Sequence, residues 1–136
     1  QGHVLREGSD VCLVATGPMV KNALLAAEQL LKDNISATVI DNPFVNNPDT
    51  DTINEQLNNC SGRLITIEDH QELGGMGSLL NQHLLRRRGS LNVLNLGIPG
   101  TFGQSAYLAD HLYEKYGLCV NSICNKAKEL ISMDKN

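Results

Sequence analysis

The sequence predicts an α/β fold: a mostly parallel sheet with helices packed on both faces, within one domain. Three observations carry this. Short apolar runs alternate with longer stretches of helical period, the pattern of strand–helix–strand units. The runs are apolar on consecutive residues, as strands covered on both faces are. The length, 136 residues with 41% hydrophobic and 19% charged, suits one compact globular core and leaves too little chain for a second domain.

Taken in order, Gln1-Gly2-His3 has the look of a protease-cleavage scar from an expression tag. Residues 1–3 are therefore set aside, and the domain is read as residues 4–136. Val4–Glu7 forms a short edge strand, and the tight turn at Gly8-Ser9-Asp10 allows it to pair antiparallel. Asp10–Thr16 is a buried strand. The helix after it has Pro18 in its first turn, an apolar face of Val20, Ala23, Leu24, Ala27, Leu30 and Leu31, and Asn34 as a left-handed cap. Ser36–Asn42 is the next strand, followed by a loop bracketed by Pro43 and Pro48. Asn47 and the acids after it start another helix. Arg63–Asp69 and Leu91–Pro99 are strands on either side of a helix opened and closed by glycine. Two helices, Gln104–Tyr116 and Val120–Met133, finish the chain, broken at Gly117.

Composition excludes several classes. A net charge of −4 argues against a nucleic-acid surface. The one basic run, Arg86-Arg87-Arg88, closes a helical pattern before Gly89, where cations complement the helix dipole. No apolar run approaches the roughly 18–20 residues of a membrane span. Cys12, Cys60, Cys119 and Cys124 form no CxxC and fit neither a zinc site nor a disulfide framework. Reduced thiols, and so a cytoplasmic protein, are expected.

In a parallel sheet every strand-to-helix turn leaves from the same edge, which gathers the polar and glycine-rich turns at the carboxyl ends of the strands. Open α/β sheets bind ligands there. Glu68, Asp69 and His70 end one strand at that edge and could tune one another for acid–base work. Strand alternation gives Glu68 and His70 one direction and Asp69 the other. The plainer reading is a helix cap or an interface ion pair. Gly74, Gly75 and Gly77 open the following helix, and Gly100 and Gly103 belong to the next turn. These glycines could offer backbone N–H groups to an anion, yet no G-x-G-x-x-G or GxxxxGK[ST] is present, and tight turns with close helix packing explain them as well. Ser105 misses the G-x-S-x-G elbow and reads as a helix-cap hydroxyl. His70, His83 and His111 have no metal-ligand spacing. Phe102, Tyr107, Tyr113 and Tyr116 hold most of the aromatic content and suit either the domain's own sheet or a partner surface.

The stretches EGSDVCLVATGPMVKNALLAAEQL, SATVIDNPFVNNPDTDTI, RLITIEDHQELGGMGS and LNLGIPGTFGQSAYLADHLYEKYGL, in that order and spacing, resemble the C-terminal domain of transketolase-like thiamine-diphosphate enzymes. The family takes in transketolase, deoxyxylulose-phosphate synthase and the beta subunits of 2-oxoacid dehydrogenases. Several members share an E-x-H…GG-x-G stretch like Glu68, His70, Gly74, Gly75 and Gly77. Phe102–Ala106 resembles transketolase most, and Asp41–Ile53 resembles the form in which that enzyme is split into separate chains.

The resemblance implies a five-stranded, three-layer α/β/α domain with one antiparallel strand. It implies that the intact enzyme is a homodimer using thiamine diphosphate and Mg²⁺, held by N-terminal and middle domains through a G-D-G…N motif and a glutamate. This chain contains no G-D-G, and no family catalytic or metal-binding residue maps onto it. The expected role is structural: a domain that buries surface against the rest of a two-carbon ketol transferase, inactive alone and binding neither cofactor nor metal. Glu68, Asp69 and His70 then become a polar corner towards a partner domain. The alternatives are a small-molecule-binding regulatory module at the glycine-rich edge, or the equivalent domain of a deoxyxylulose-phosphate synthase or a 2-oxoacid dehydrogenase beta subunit.

Overall fold

A computed structural model describes residues 3–42, 50–71, 92–99 and 118–134. The strands are β1 (His3–Arg6), β2 (Val11–Ala15), β3 (Ala37–Asp41), β4 (Arg63–Gln71) and β5 (Asn92–Pro99), and the helices are α1 (Met19–Lys32), α2 (Thr50–Asn59) and α3 (Val120–Asp134). The strands form one five-stranded sheet in the order β1-β3-β2-β4-β5. β2 pairs parallel with β3 and β4, and β4 pairs parallel with β5. β1 is the one antiparallel strand. It pairs with β3, His3 opposite Asp41 and Val4 opposite Ile40, rather than with β2, which directly follows the turn.

The β1 turn has a different use from a hairpin. Backbone N–H groups of Ser9 and Asp10 both donate to the Ser36 carbonyl, and the Ser36 N–H donates to Asp10 Oδ2 at 2.7 Å. The turn is thereby fastened to the start of β3. β1 is carried past β2 to the outside of the sheet, where its register slips at Leu5. A bulge of this kind discourages edge-to-edge pairing.

Strand alternation sorts the core into two halves. Val11, Leu13, Ala15, Ala37, Val39, Ile65 and Ile67 face α1 and α3, while Cys12, Val14, Ile40 and Leu64 face α2 through Ile53, Leu57 and Cys60. Among the described residues, two helices on one face and one on the other give the α/β/α layering. Each fully buried Leu or Ile contributes about 1.5–3 kcal/mol relative to exposure, and the central strand β2 is buried at all five positions.

α1 begins after Pro18, which stands at the N-cap, one position before the helix proper. Asn34 takes the left-handed conformation at φ 63°, as a cap there requires. The buried face is Met19, Ala23, Ala26, Ala27 and Leu30, with Leu31 at 53% exposure. The expected face thus rotates towards Ala26, because α3 lies on that side. Asn22 Nδ2 donates to the Leu118 carbonyl at 3.0 Å, Cys124 Sγ to the Ala26 carbonyl, and Lys128 Nζ to Asp33 Oδ2 at 2.7 Å. The loop between Pro43 and Pro48, the Asn47 cap, the glycine-opened helix after β4 and the helix at 104–116 lie outside the described residues.

Candidate functional site

The carboxyl edge of the sheet carries the polar exceptions to an apolar interior. Thr16, Asn42 and Glu68 each stand one residue beyond the last registered pairs, Ala15 with Asp41 and Ala15 with Ile67. The Asn42 N–H donates to the Ala15 carbonyl and the Thr16 N–H to the Ile67 carbonyl, so both parallel ladders run on to this level. Alternation places the three side chains in a row on the α2 face. All are buried within the chain: Asn42 at 0%, Thr16 at 5% and Glu68 at 1% exposure. One level below, buried Thr66 donates its hydroxyl to Asn95 Oδ1 across the β4–β5 pair at 2.6 Å. An apolar residue at any of these positions would avoid the desolvation of a polar group.

β4 changes character after Glu68. Glu68 pairs with Gly97, but the next registered pair is Gln71 with Pro99, so β4 spends one more residue than β5 across this step. Such a slip in a parallel pair is rare and re-aims the chain. It interrupts the strict alternation on which a common direction for Glu68 and His70 rests. Asp69 and His70 lie in β4 within the slipped stretch. Gly74, Gly75, Gly77, Gly100 and Gly103 fall outside the described residues, as do Ser105, His83, His111 and the aromatic cluster at 102–116.

The opposite, amino-terminal edge holds a thiol–hydroxyl cluster that sequence reasoning missed. Thr38 Oγ1 accepts the Gly8 N–H at 2.8 Å and donates to the Gly8 carbonyl at 3.0 Å. Cys60 Sγ lies 3.6 Å from the same hydroxyl and 3.7 Å from the Gly8 carbonyl oxygen. Burial pushes the Cys12 thiol well above its ordinary 9.0, with Cys60 beside it adding to the rise. Burial also raises Cys60, partly offset by its Thr38 hydrogen bond. Neutral buried thiols are poor nucleophiles, so this cluster is packing and not chemistry. All four cysteines are free thiols.

Two cavities of about 430 Å³ open beside α1 and α3. One is lined by Gln29, Lys32, Asn121 and Lys128, the other by Asp10, Asp33, Arg63 and Lys128. Their charges are already engaged in part: Lys128 with Asp33, and Arg63 Nη1 with the Asp10 carbonyl at 2.9 Å. Among the described residues no three His, Cys, Asp or Glu side chains come together as a metal site.

The buried row had a signal in the sequence. Thr16, Asn42 and Glu68 each stand at or beside the end of an expected strand, and parallel strands of matched length bring such endings to one level.

These features define a class: an α/β/α domain whose mixed sheet has one antiparallel edge strand and whose polar residues collect at the carboxyl edge. The chain belongs to the transketolase C-terminal domain family, whose model matches residues 1–123. Its relatives include the 1-deoxy-D-xylulose-5-phosphate synthase of Heliobacterium modesticaldum, 35% identical over 136 residues, 100% of this chain and 21% of that protein. The synthase of the same name from Desulforudis audaxviator is 38% identical over 131 residues, 94% of this chain and 20% of that one. Among solved structures, a chain titled "Split gene transketolase, inactive beta4 tetramer" superposes with a TM-score of 0.84 at 32% identity, covering 97% of this chain and 42% of that chain. The transketolase of Campylobacter jejuni shares the fold, with a TM-score of 0.63 at 18% identity over 94% of this chain and 18% of that one. The chain spans about a fifth of the length of the curated relatives it matches.

Proposed function

We propose that this chain is the C-terminal structural and assembly domain of a transketolase-like transferase that moves two-carbon ketol units between sugar phosphates. The observation that carries this is the 0.84 likeness to the split-gene transketolase chain over 97% of the present one. Thiamine diphosphate and Mg²⁺ belong, on this reading, to the N-terminal and middle domains of an intact homodimeric enzyme. A cytoplasmic location belongs to it too, supported by the four free thiols. No helix among the described residues is long and apolar enough to cross a membrane.

Within that assembly the end of β4, with Glu68, Asp69 and His70, is the corner through which the domain meets the rest of the enzyme. The slip in β4 at this point supports the reading, since it breaks the regular register just before the strand ends at Gln71 opposite Pro99. In the intact enzyme, Asp69→Asn and His70→Ala should raise the protein concentration needed to keep dimers together in sedimentation while leaving turnover per assembled dimer within about twofold. A large fall in turnover with the dimer intact would make the corner part of the chemistry.

A second reading has its own support. The Heliobacterium and Desulforudis relatives, at 35% and 38% identity, are both named 1-deoxy-D-xylulose-5-phosphate synthase. Assaying the intact enzyme for ketol transfer between sugar phosphates and for 1-deoxy-D-xylulose 5-phosphate formation separates the two.

A further inference from the structure

We infer that Gln56 is a contact point between α2 and the rest of the intact enzyme: its side-chain carbonyl oxygen accepts a hydrogen bond from an N–H or O–H donor that this chain does not supply. The inference rests on the assembly reading above and gives it a second contact, on α2 and not at the end of β4.

The first argument is the orphaned oxygen. Gln56 is 8% exposed, and its Oε1 is the one buried side-chain oxygen or nitrogen among the described residues with no hydrogen-bond partner. A buried carbonyl without a donor loses its water and gains nothing in return, which costs more than a made hydrogen bond contributes. The position itself suits an apolar residue. Ile53, Gln56, Leu57 and Cys60 follow one another at the helical spacing i, i+3, i+4 and i+7, and the other three are fully buried in the half of the core beneath α2. Met is as long and unbranched, has a similar helix propensity, and would fill this place without the loss. An internal water is a poor substitute for the missing donor. Buried waters bridge two or more unsatisfied groups, and no second buried side-chain atom among the described residues is left open to share one.

The second argument is the character of α2. Its ten residues hold four carboxamides, Asn54, Gln56, Asn58 and Asn59, and neither Lys nor Arg. The exposed positions of α1 and α3, by contrast, carry Lys21, Lys32, Lys126 and Lys128. A carboxamide donates and accepts without carrying charge, and charge is what the core of an interface is depleted in. The chain spans about a fifth of the length of its curated relatives, so an enzyme of that kind has ample further protein to bring a donor to this helix.

The test is amide hydrogen exchange in α2, read by mass spectrometry for the wild type and Gln56→Met, each as the chain alone and within the intact enzyme. Helices seal a core half on each face of the sheet, so the chain can be tested alone. There, Gln56→Met should leave exchange at residues 54–59 unchanged or slower, because the orphaned carbonyl is gone. In the intact enzyme the same change should quicken it by about tenfold, as the loss of one buried hydrogen bond does, while amides of β2 keep their wild-type rates. Quicker exchange in both settings puts the donor inside the chain. Unchanged or slower exchange in the intact enzyme means that no donor arrives. Either result overturns the inference, as does equal wild-type exchange in α2 with and without the rest of the enzyme. Sedimentation of Asp69→Asn and His70→Ala reports separately on the corner. If those variants assemble normally while Gln56→Met gives its opposite responses, the corner reading fails and the α2 contact stands.

Discussion

A methyl group at Gly8 would meet the Ala37 carbonyl carbon at 2.5 Å and its nitrogen and oxygen at 2.7 Å. The obstacle is backbone and cannot swing aside, and Gly8 is also clasped by Thr38 Oγ1 through both its N–H and its carbonyl. Gly8→Ala should destabilise the domain by about 3 kcal/mol, the upper part of the overpacking range, read as a lower urea midpoint at unchanged slope. The sequence placed a turn here but had no means of naming Ala37, because the contact exists only once β1 is laid beside β3. The thiols next to this turn make a second prediction. In the unfolded chain Cys12 and Cys60 ionise near 9.0, whereas burial in the folded chain holds both above it. Their contribution is fully present below pH 9. It is lost as pH rises towards the folded values, because the unfolded state then releases protons that the native state keeps. Unfolding free energies from urea titrations between pH 7 and 10.5 should fall above about pH 9, by up to about 1.4 kcal/mol per pH unit for each thiol. Cys12→Ala should make the fall shallower.

Elements were legible where their pattern is intrinsic. The strands at 11–15, 37–41, 63–71 and 92–99 fall where continuous apolar runs predicted them, and Asn34 caps α1 as its residue type suggests. What a helical wheel cannot contain is the side from which a neighbour arrives. Val20, Leu24 and Leu31 share an apolar stripe with Ala23, Ala27 and Leu30, yet α3 docks along Asn22, Ala26 and Asp33 and buries an alanine in preference to a leucine. Two substitutions separate the views. Ala26→Leu should cost about 1–3 kcal/mol by forcing α3 away from the sheet, whereas Leu31→Ala, at a site already 53% exposed, should stay within about 0.5 kcal/mol. Thermal unfolding of the two variants checks both; equal losses would mean that α3 does not lie where described. The partner of β1 was similarly hidden, since the short turn suggested β2 and fastening that turn to Ser36 delivered the strand to β3 instead. Glu68 could be named as a candidate from its strand-end position. Its burial could not, because that depends on Thr16 and Asn42 ending their strands at the same level.

At the scale of the molecule, core and function separate. The described residues contain a closed interior of their own: β2 is covered on both faces, and the two core halves are each sealed by helices. Among the described residues, the large apolar side chains left exposed are spread over β1, α1 and α3 as Val4, Leu5, Leu25, Leu31 and Met133, and single exposures of this kind are ordinary on protein surfaces. A domain with its own core should fold by itself, so the isolated chain should unfold in one cooperative transition. That makes a negative binding result meaningful. The curated relatives are about five times longer than this chain, and the polar groups described at its carboxyl edge are buried, engaged within the chain or both, with no metal-ligating cluster among the described residues. Calorimetric titration of the folded chain with thiamine diphosphate and Mg²⁺ should therefore give no saturable heat, while the intact enzyme gives a saturable isotherm under the same conditions. Tight binding to the isolated chain would move the cofactor site into this domain and overturn its assignment to assembly. Absence of binding by the intact enzyme would remove the chain from the thiamine-diphosphate enzymes while leaving its fold untouched, because a fold is compatible with many sites and only the site carries the chemistry.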